Sequence, residues 1–186
     1  MIRESVVDST LNRLSAAFGT RLVVRPPASA EEIAALEHLV GPLPREFAIF
    51  LLTCNGLRIH VGAPPRTEEE WHLWHTQEMA ASILNPQGPS MPPCLVPFCG
   101  DPTTIRDCLV AGHGPAEDAV VRWDPWAQGV ELLTSGFGRY LDRWTQYMID
   151  RFGIRVPDAS RSDWPPFDAE YLGAQDLQLT ALRNQV

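Results

Sequence analysis

The run Leu43-Pro44-Arg45-Glu46-Phe47-Ala48-Ile49-Phe50-Leu51-Leu52-Thr53-Cys54-Asn55-Gly56-Leu57-Arg58-Ile59-His60-Val61 changes its period once, at Asn55-Gly56. Ahead of that point Phe47, Phe50, Leu51 and Cys54 recur at i, i+3, i+4 and i+7, the spacing of one helix face. Pro44 suits the start of such a helix, where backbone N–H groups have no partner in any case. Ala48, Ile49 and Leu52 are apolar too, so the helix is expected to be buried on most sides. Asn55 and Gly56 both tolerate positive φ and end it. From Leu57 to Val61 the pattern is that of a strand.

Working towards the N-terminus, the chain stays helical. Ser29-Ala30-Glu31-Glu32 is a capping box ahead of Ile33, Leu36 and Val40, and Gly41-Pro42 stops that helix. Arg21 to Arg25 reads as a short extended segment. Val7, Leu11, Leu14 and Phe18 stripe a first helix over Ile2 to Phe18, with Gly19 beyond its end.

Working towards the C-terminus, strands dominate. Trp71 to Trp74, Leu95 to Cys99, Ile105 to Ala111, Ala119 to Trp126 and Val130 to Leu133 lie between Gly, Pro and Asp turns, with a short helix expected at Thr76 to Leu84. Asp124 to Gly129 reads as a hairpin connection. Ser135 is placed to cap a long helix striped by Phe137, Leu141, Trp144, Met148 and Phe152. Past Pro157 the chain is polar and Pro-rich, and Asp168 can cap a last helix reaching about Asn184. Helices and strands are segregated along the chain. The expected fold is therefore α+β: N-terminal helices, a central, mainly antiparallel twisted sheet, and a C-terminal helix packed on it. The expected division is one domain over residues 1–156 and a C-terminal extension over residues 157–186.

The composition narrows the function. The chain has 186 residues, 15 basic and 23 acidic, for a formal charge of −8. That balance argues against direct nucleic-acid binding, which calls for a basic footprint, and is compatible with a basic protein partner. With 45% hydrophobic residues the core needs no disulfide or metal. No apolar stretch is long enough to span a membrane. Met1 to Leu14 carries charges and no apolar signal region, so a cytoplasmic protein with free thiols at Cys54, Cys94, Cys99 and Cys108 is expected.

Four constellations invite chemistry. Cys94, Cys99, Cys108 and His113, with His72 and His75, have the side chains of a zinc site but lack a close C-x-x-C pair. Buried thiols are the simpler reading, and no metal or other cofactor is expected. A Cys–His nucleophile pair has no strained turn or oxyanion donor beside it. Asp101, Asp107, Glu117, Asp118 and Asp124 cluster at strand turns, where Asp is expected for local hydrogen bonding before acid–base work. Trp123, Trp126 and Trp144 fall in strand or helix patterns and read as core. Trp71 and Trp74 follow Glu68-Glu69-Glu70, which combines anchor area with negative charge.

Three segments in order resemble the SUKH superfamily, in its Smi/Knr-like family. The first runs from Pro27-Ala28-Ser29 through Ile33, Leu36 and Glu37 to Leu43, Pro44, Phe47, Phe50, Leu51, Asn55 and Gly56. The second is Val96-Pro97-Phe98-Cys99-Gly100-Asp101. The third is Val120-Val121-Arg122-Trp123-Asp124 followed by Ser135, Phe137 and Leu141, with one extra Gly between Ser and Phe. The resemblance covers about Arg21 to Phe152. It departs from the family at Asp101 to Asp107, which is shorter and poorer in Gly than the usual run.

The resemblance implies a protein-binding domain without enzymatic activity. Such a domain would be an immunity protein that neutralises a cognate bacterial toxin of a polymorphic toxin system by direct contact. The alternative is an adaptor of the same fold, and a zinc- or thiol-dependent enzyme comes third. The expected partner is a toxin domain, basic if a nuclease, met by a monomer or weak homodimer. The expected contact residues are Glu68, Glu69, Glu70, Trp71, Asp101, Asp107 and Asp124.

Overall fold

Ser29 closes the capping box that its sequence announces. Its hydroxyl accepts the Glu32 N–H at 3.1 Å, and the Glu32 carboxylate accepts the Ser29 N–H at 2.8 Å. In a computed structural model of the chain, the described residues are 5–61, 70–85, 91–100, 105–112, 118–127 and 129–153. The helices are α1 (Val6–Phe18), α2 (Ala30–Val40), α3 (Arg45–Thr53), α4 (Thr76–Ile83) and α5 (Phe137–Phe152). The strands are β1 (Leu22–Val24), β2 (Leu57–His60), β3 (Glu70–Leu73), β4 (Leu95–Gly100), β5 (Arg106–Val110), β6 (Val120–Asp124) and β7 (Gly129–Thr134). The seven strands form one sheet in chain order, and every neighbouring pair is antiparallel. The fold is α+β, as the segregation of periods predicts.

All five helices bury their apolar stripes on one face of the sheet. Leu14 and Phe18 of α1, Leu36 of α2, Phe47, Phe50 and Leu51 of α3, Met79 of α4 and Tyr140, Leu141, Trp144 and Met148 of α5 share a single core with Leu57, Ile59, Leu73, Val96, Phe98, Leu109 and Val120. Its centre is aromatic. The Phe47 and Phe137 rings meet edge-on at 4.8 Å, and the Phe98 ring is edge-on to Tyr140 at 5.1 Å. Such geometry pairs the electropositive rim of one ring with the face of the other.

The Asn55-Gly56 corner is a joint rather than a simple stop. The Asn55 amide donates to the Thr76 hydroxyl at 3.0 Å, and its carbonyl accepts the Thr76 N–H at 2.9 Å, tying the end of α3 to the start of α4. Gly56 has φ of +87°, and a Cβ there would lie 2.7 Å from the Leu73 carbonyl oxygen. Only glycine allows β2 to leave the corner so close to β3.

Three sequence expectations are corrected. First, α3 is two-sided: Phe47, Phe50 and Leu51 face the core, while Ile49 and Leu52 are exposed. Its outer face has no further layer among the described residues. Second, Ser135 does not cap α5. Gly136 takes the cap position, and the Glu46 carboxylate of α3 accepts the Gly138 N–H at 2.9 Å. A Cβ on Gly138 would meet that carboxylate, so the glycine makes room for a cap supplied by another helix. Third, β6 ends at Asp124, and Trp126 lies outside the core. Trp123 and Trp144 are buried as expected. The helix expected from Asp168 lies outside the described residues.

Candidate functional site

The antiparallel order brings three hairpin ladders to a close at the same end of the sheet. Their last pairs are His60 with Glu70, Gly100 with Arg106, and Asp124 with Gly129. The chain leaves and re-enters the sheet at this end between β2 and β3, between β4 and β5, and between β6 and β7. These connections carry, in sequence, Glu68 and Glu69, then Asp101, then Asp124. Glu68, Glu69 and Asp101 lie outside the described residues, and Glu70 opens β3.

One carboxylate organises the described part of the third connection. Oδ1 of Asp124 accepts the Trp126 N–H at 2.8 Å and the Ala127 N–H at 3.2 Å, fixing the turn. That turn presents Trp126 at 82% exposure, the most exposed large apolar side chain among the described residues. Ile105, 44% exposed, enters β5 at the same end of the sheet. An indole held out by a hydrogen-bonded turn forfeits burial in its own fold and supplies ready anchor area to a partner. Of the two overlapping sequence expectations, a strand to Trp126 and a hairpin connection from Asp124 to Gly129, the structure follows the second at Trp126.

Asp107 has a different environment. It lies buried in β5, where its carboxylate accepts from Arg122 Nε at 2.9 Å and from the Tyr140 hydroxyl at 2.7 Å. Burial, with the Asp107 charge beside it, pushes the Tyr140 phenol well above its usual range. Asp107 thus ties β5, β6 and α5 together inside the protein, and its place is away from the surface. Trp71 is half-buried on the helix side, its ring 5.8 Å from Tyr147 and 6.1 Å from Phe152. It buttresses the end of α5.

Cys54, Cys99 and Cys108 are buried, and Cys94 is half-buried. All four cysteines are free. Burial pushes Cys54 and Cys99 up to about 12, and Cys108 well above its ordinary value. A thiolate nucleophile needs the opposite shift. Among the described residues no group of three or more His, Cys, Asp or Glu side chains is arranged to hold a metal ion. His75 is the N-cap residue of α4; its backbone N–H donates to the Glu78 carboxylate at 3.1 Å, and its Nε2 lies 3.5 Å from the same carboxylate. His113 lies outside the described residues. No helix among the described residues is long and apolar enough to cross a membrane.

A seven-stranded antiparallel meander with five helices packed on one of its faces defines an α+β domain. Within that class the sequence matches the SMI1 / KNR4 family (SUKH-1) over residues 27–143, and the chain belongs to this family. The match spans the capping box of α2, the Asn55-Gly56 joint, the β4 to β7 strands and the first half of α5. A comparison with curated proteins finds no match.

Proposed function

We propose that this protein is an immunity protein that neutralises a cognate bacterial toxin by direct contact, using the hairpin end of its sheet. The observation that carries the reading is Trp126, exposed on a turn that Asp124 holds fixed, in a chain of the SUKH family. Around that indole, the connections that carry Glu68, Glu69, Asp101 and Asp124 leave the same end of the sheet, and Glu70 begins a strand there. An aromatic anchor set among carboxylates suits a basic protein surface such as a nuclease active site, and the net charge of −8 steers such a partner inward. Asp107 and Trp71 brace this end of the sheet through Arg122, Tyr140, Tyr147 and Phe152. Function in this reading needs no catalytic group, metal or cofactor, and takes place in the cytoplasm as a monomer or weak homodimer.

The test is co-expression with the toxin domain encoded beside it. The domain alone is expected to kill the host, and the pair to grow and co-purify. A neighbouring gene without a toxin domain, or a pair that fails to associate, would remove the reading in favour of an adaptor with a housekeeping partner.

A further inference from the structure

A sheet face rich in leucine, valine and tryptophan is dry only when something lies on it. Strands β4 to β7 turn Leu95, Cys108, Val110, Val121 and Trp123 to the face opposite the five helices. Cys108 and Val121 are 0% exposed, Leu95 1% and Trp123 2%. Among the described residues outside these strands, only Met91, Cys94 and Ala119 join this cluster, and no described helix packs there.

We propose that this second face is a docking surface for the C-terminal residues 154–186 of the same chain, which lie outside the described residues. Size favours that segment. Four strands spaced about 4.8 Å apart, each about five residues long, make a plate about 15 Å by about 17 Å. The connections at 62–69, 86–90, 101–104 and 113–117 have 8, 5, 4 and 5 residues, and each is held at both ends by described parts of the fold. The segment 154–186 has 33 residues and continues directly from the end of α5.

Reach and composition agree. The chain leaves α5 at Phe152, whose carbonyl accepts from Arg21 and whose ring lies beside Trp71 of β3, so it departs one strand away from β4. The ten residues from Ile154 to Asp163 reach up to about 33 Å, enough to pass around a sheet end. Trp164, Phe167, Tyr171 and Leu172 then supply apolar area. Asp163 and Asp168 flank the first two and complement Arg106, a buried cation whose guanidinium lies 5.3 Å over the Trp123 ring on this face.

Cysteine labelling of the native full-length protein tests the proposal, because the chain carries its own control. Cys108 lies on the second face and Cys54 on the helix face. Iodoacetamide modification of each is followed by peptide mass spectrometry in the wild type, in W164A/F167A and in W164D/F167D. Cys108 is expected to be protected in the wild type at all protein concentrations. It is expected to lose at least about tenfold of that protection in both variants, while Cys54 stays protected. Unchanged protection of Cys108 in both variants, or equal loss at Cys108 and Cys54, overturns the proposal. Wild-type protection that grows with protein concentration also overturns it, since a second copy would then be the cover.

Discussion

Oδ1 of Asp124 accepts the Trp126 N–H at 2.8 Å, so a single carboxylate both shapes the β6–β7 turn and stands beside its exposed indole. Replacing Trp126 by Ala removes little packing from the folded protein, and stability should stay within about 0.5 kcal/mol of wild type. Affinity for the co-purified toxin domain should fall by about 2 kcal/mol or more, about 30-fold, as for a central aromatic anchor. Titration calorimetry with W126A measures this directly. Retained affinity would move the contact surface elsewhere on the molecule.

The Asp124 carboxylate has two roles that one substitution separates. Asp124→Asn keeps an oxygen that can accept the Trp126 N–H but removes the charge. The turn should persist, while association with a basic partner should slow and lose part of its salt dependence. Asp124→Ala removes the acceptor as well, and should weaken binding further at every salt concentration. Stopped-flow association rates across a salt series distinguish the two. Equal rates for Asn and wild type would assign Asp124 to the turn alone.

The joint at Asn55, Gly56 and Thr76 should be among the least tolerant places in the fold. Gly56→Ala puts a Cβ 2.7 Å from the Leu73 carbonyl at a φ of +87°, and should cost about 2–4 kcal/mol. Asn55→Ala breaks both hydrogen bonds to Thr76 in a buried setting and should cost about 2–3 kcal/mol. Urea unfolding of each variant gives the values. A Gly56→Ala protein as stable as wild type would mean that β2 can move off β3 at little cost.

Asp107 predicts an asymmetric pair of substitutions. Tyr140→Phe removes one hydrogen bond to Asp107 and keeps the Arg122 partnership, at a cost of about 1–2 kcal/mol. Asp107→Ala takes the shared carboxylate away from both Arg122 and Tyr140, and should cost about 3–5 kcal/mol. A double variant, Asp107→Ala with Tyr140→Phe, should fall short of the sum because the two groups share one hydrogen bond. Strict additivity would show that the hydroxyl and the carboxylate act independently.

Local rules carried the fold further than the surface. The capping box at Ser29, the period change at Gly56 and the strand spacing past Leu57 are written in neighbouring residues, so each element falls within a few residues of its expected place. Long-range facts escaped. Nothing near Gly136 says that Glu46, 92 residues before Gly138, caps α5. Nothing near Asp107 separates a turn carboxylate from one that holds Arg122 and Tyr140. The exposure of Ile49 and Leu52 depends on which helices pack against α3, a matter of topology rather than composition. Trp126 was legible in part. Its aromatic character suggested core, but the turn residues around it stated the opposite, and burial follows the backbone first.

His75 should make stability depend on pH. Its imidazole is lowered from the ordinary value of 6.5 first by burial, which the nearby Arg25 and Arg58 reinforce and the Glu78 and Glu32 carboxylates oppose. A histidine whose folded value is depressed binds fewer protons in the native state than in the unfolded chain between the two values. Its contribution is therefore complete above 6.5 and is lost as the pH falls from there towards the folded value. His75→Asn places an acceptor at the N-cap and cannot titrate. Urea midpoints measured between about pH 7.5 and about pH 5.5 should fall more steeply for wild type than for this variant. Parallel curves would assign the acid sensitivity of this protein to its carboxylates instead.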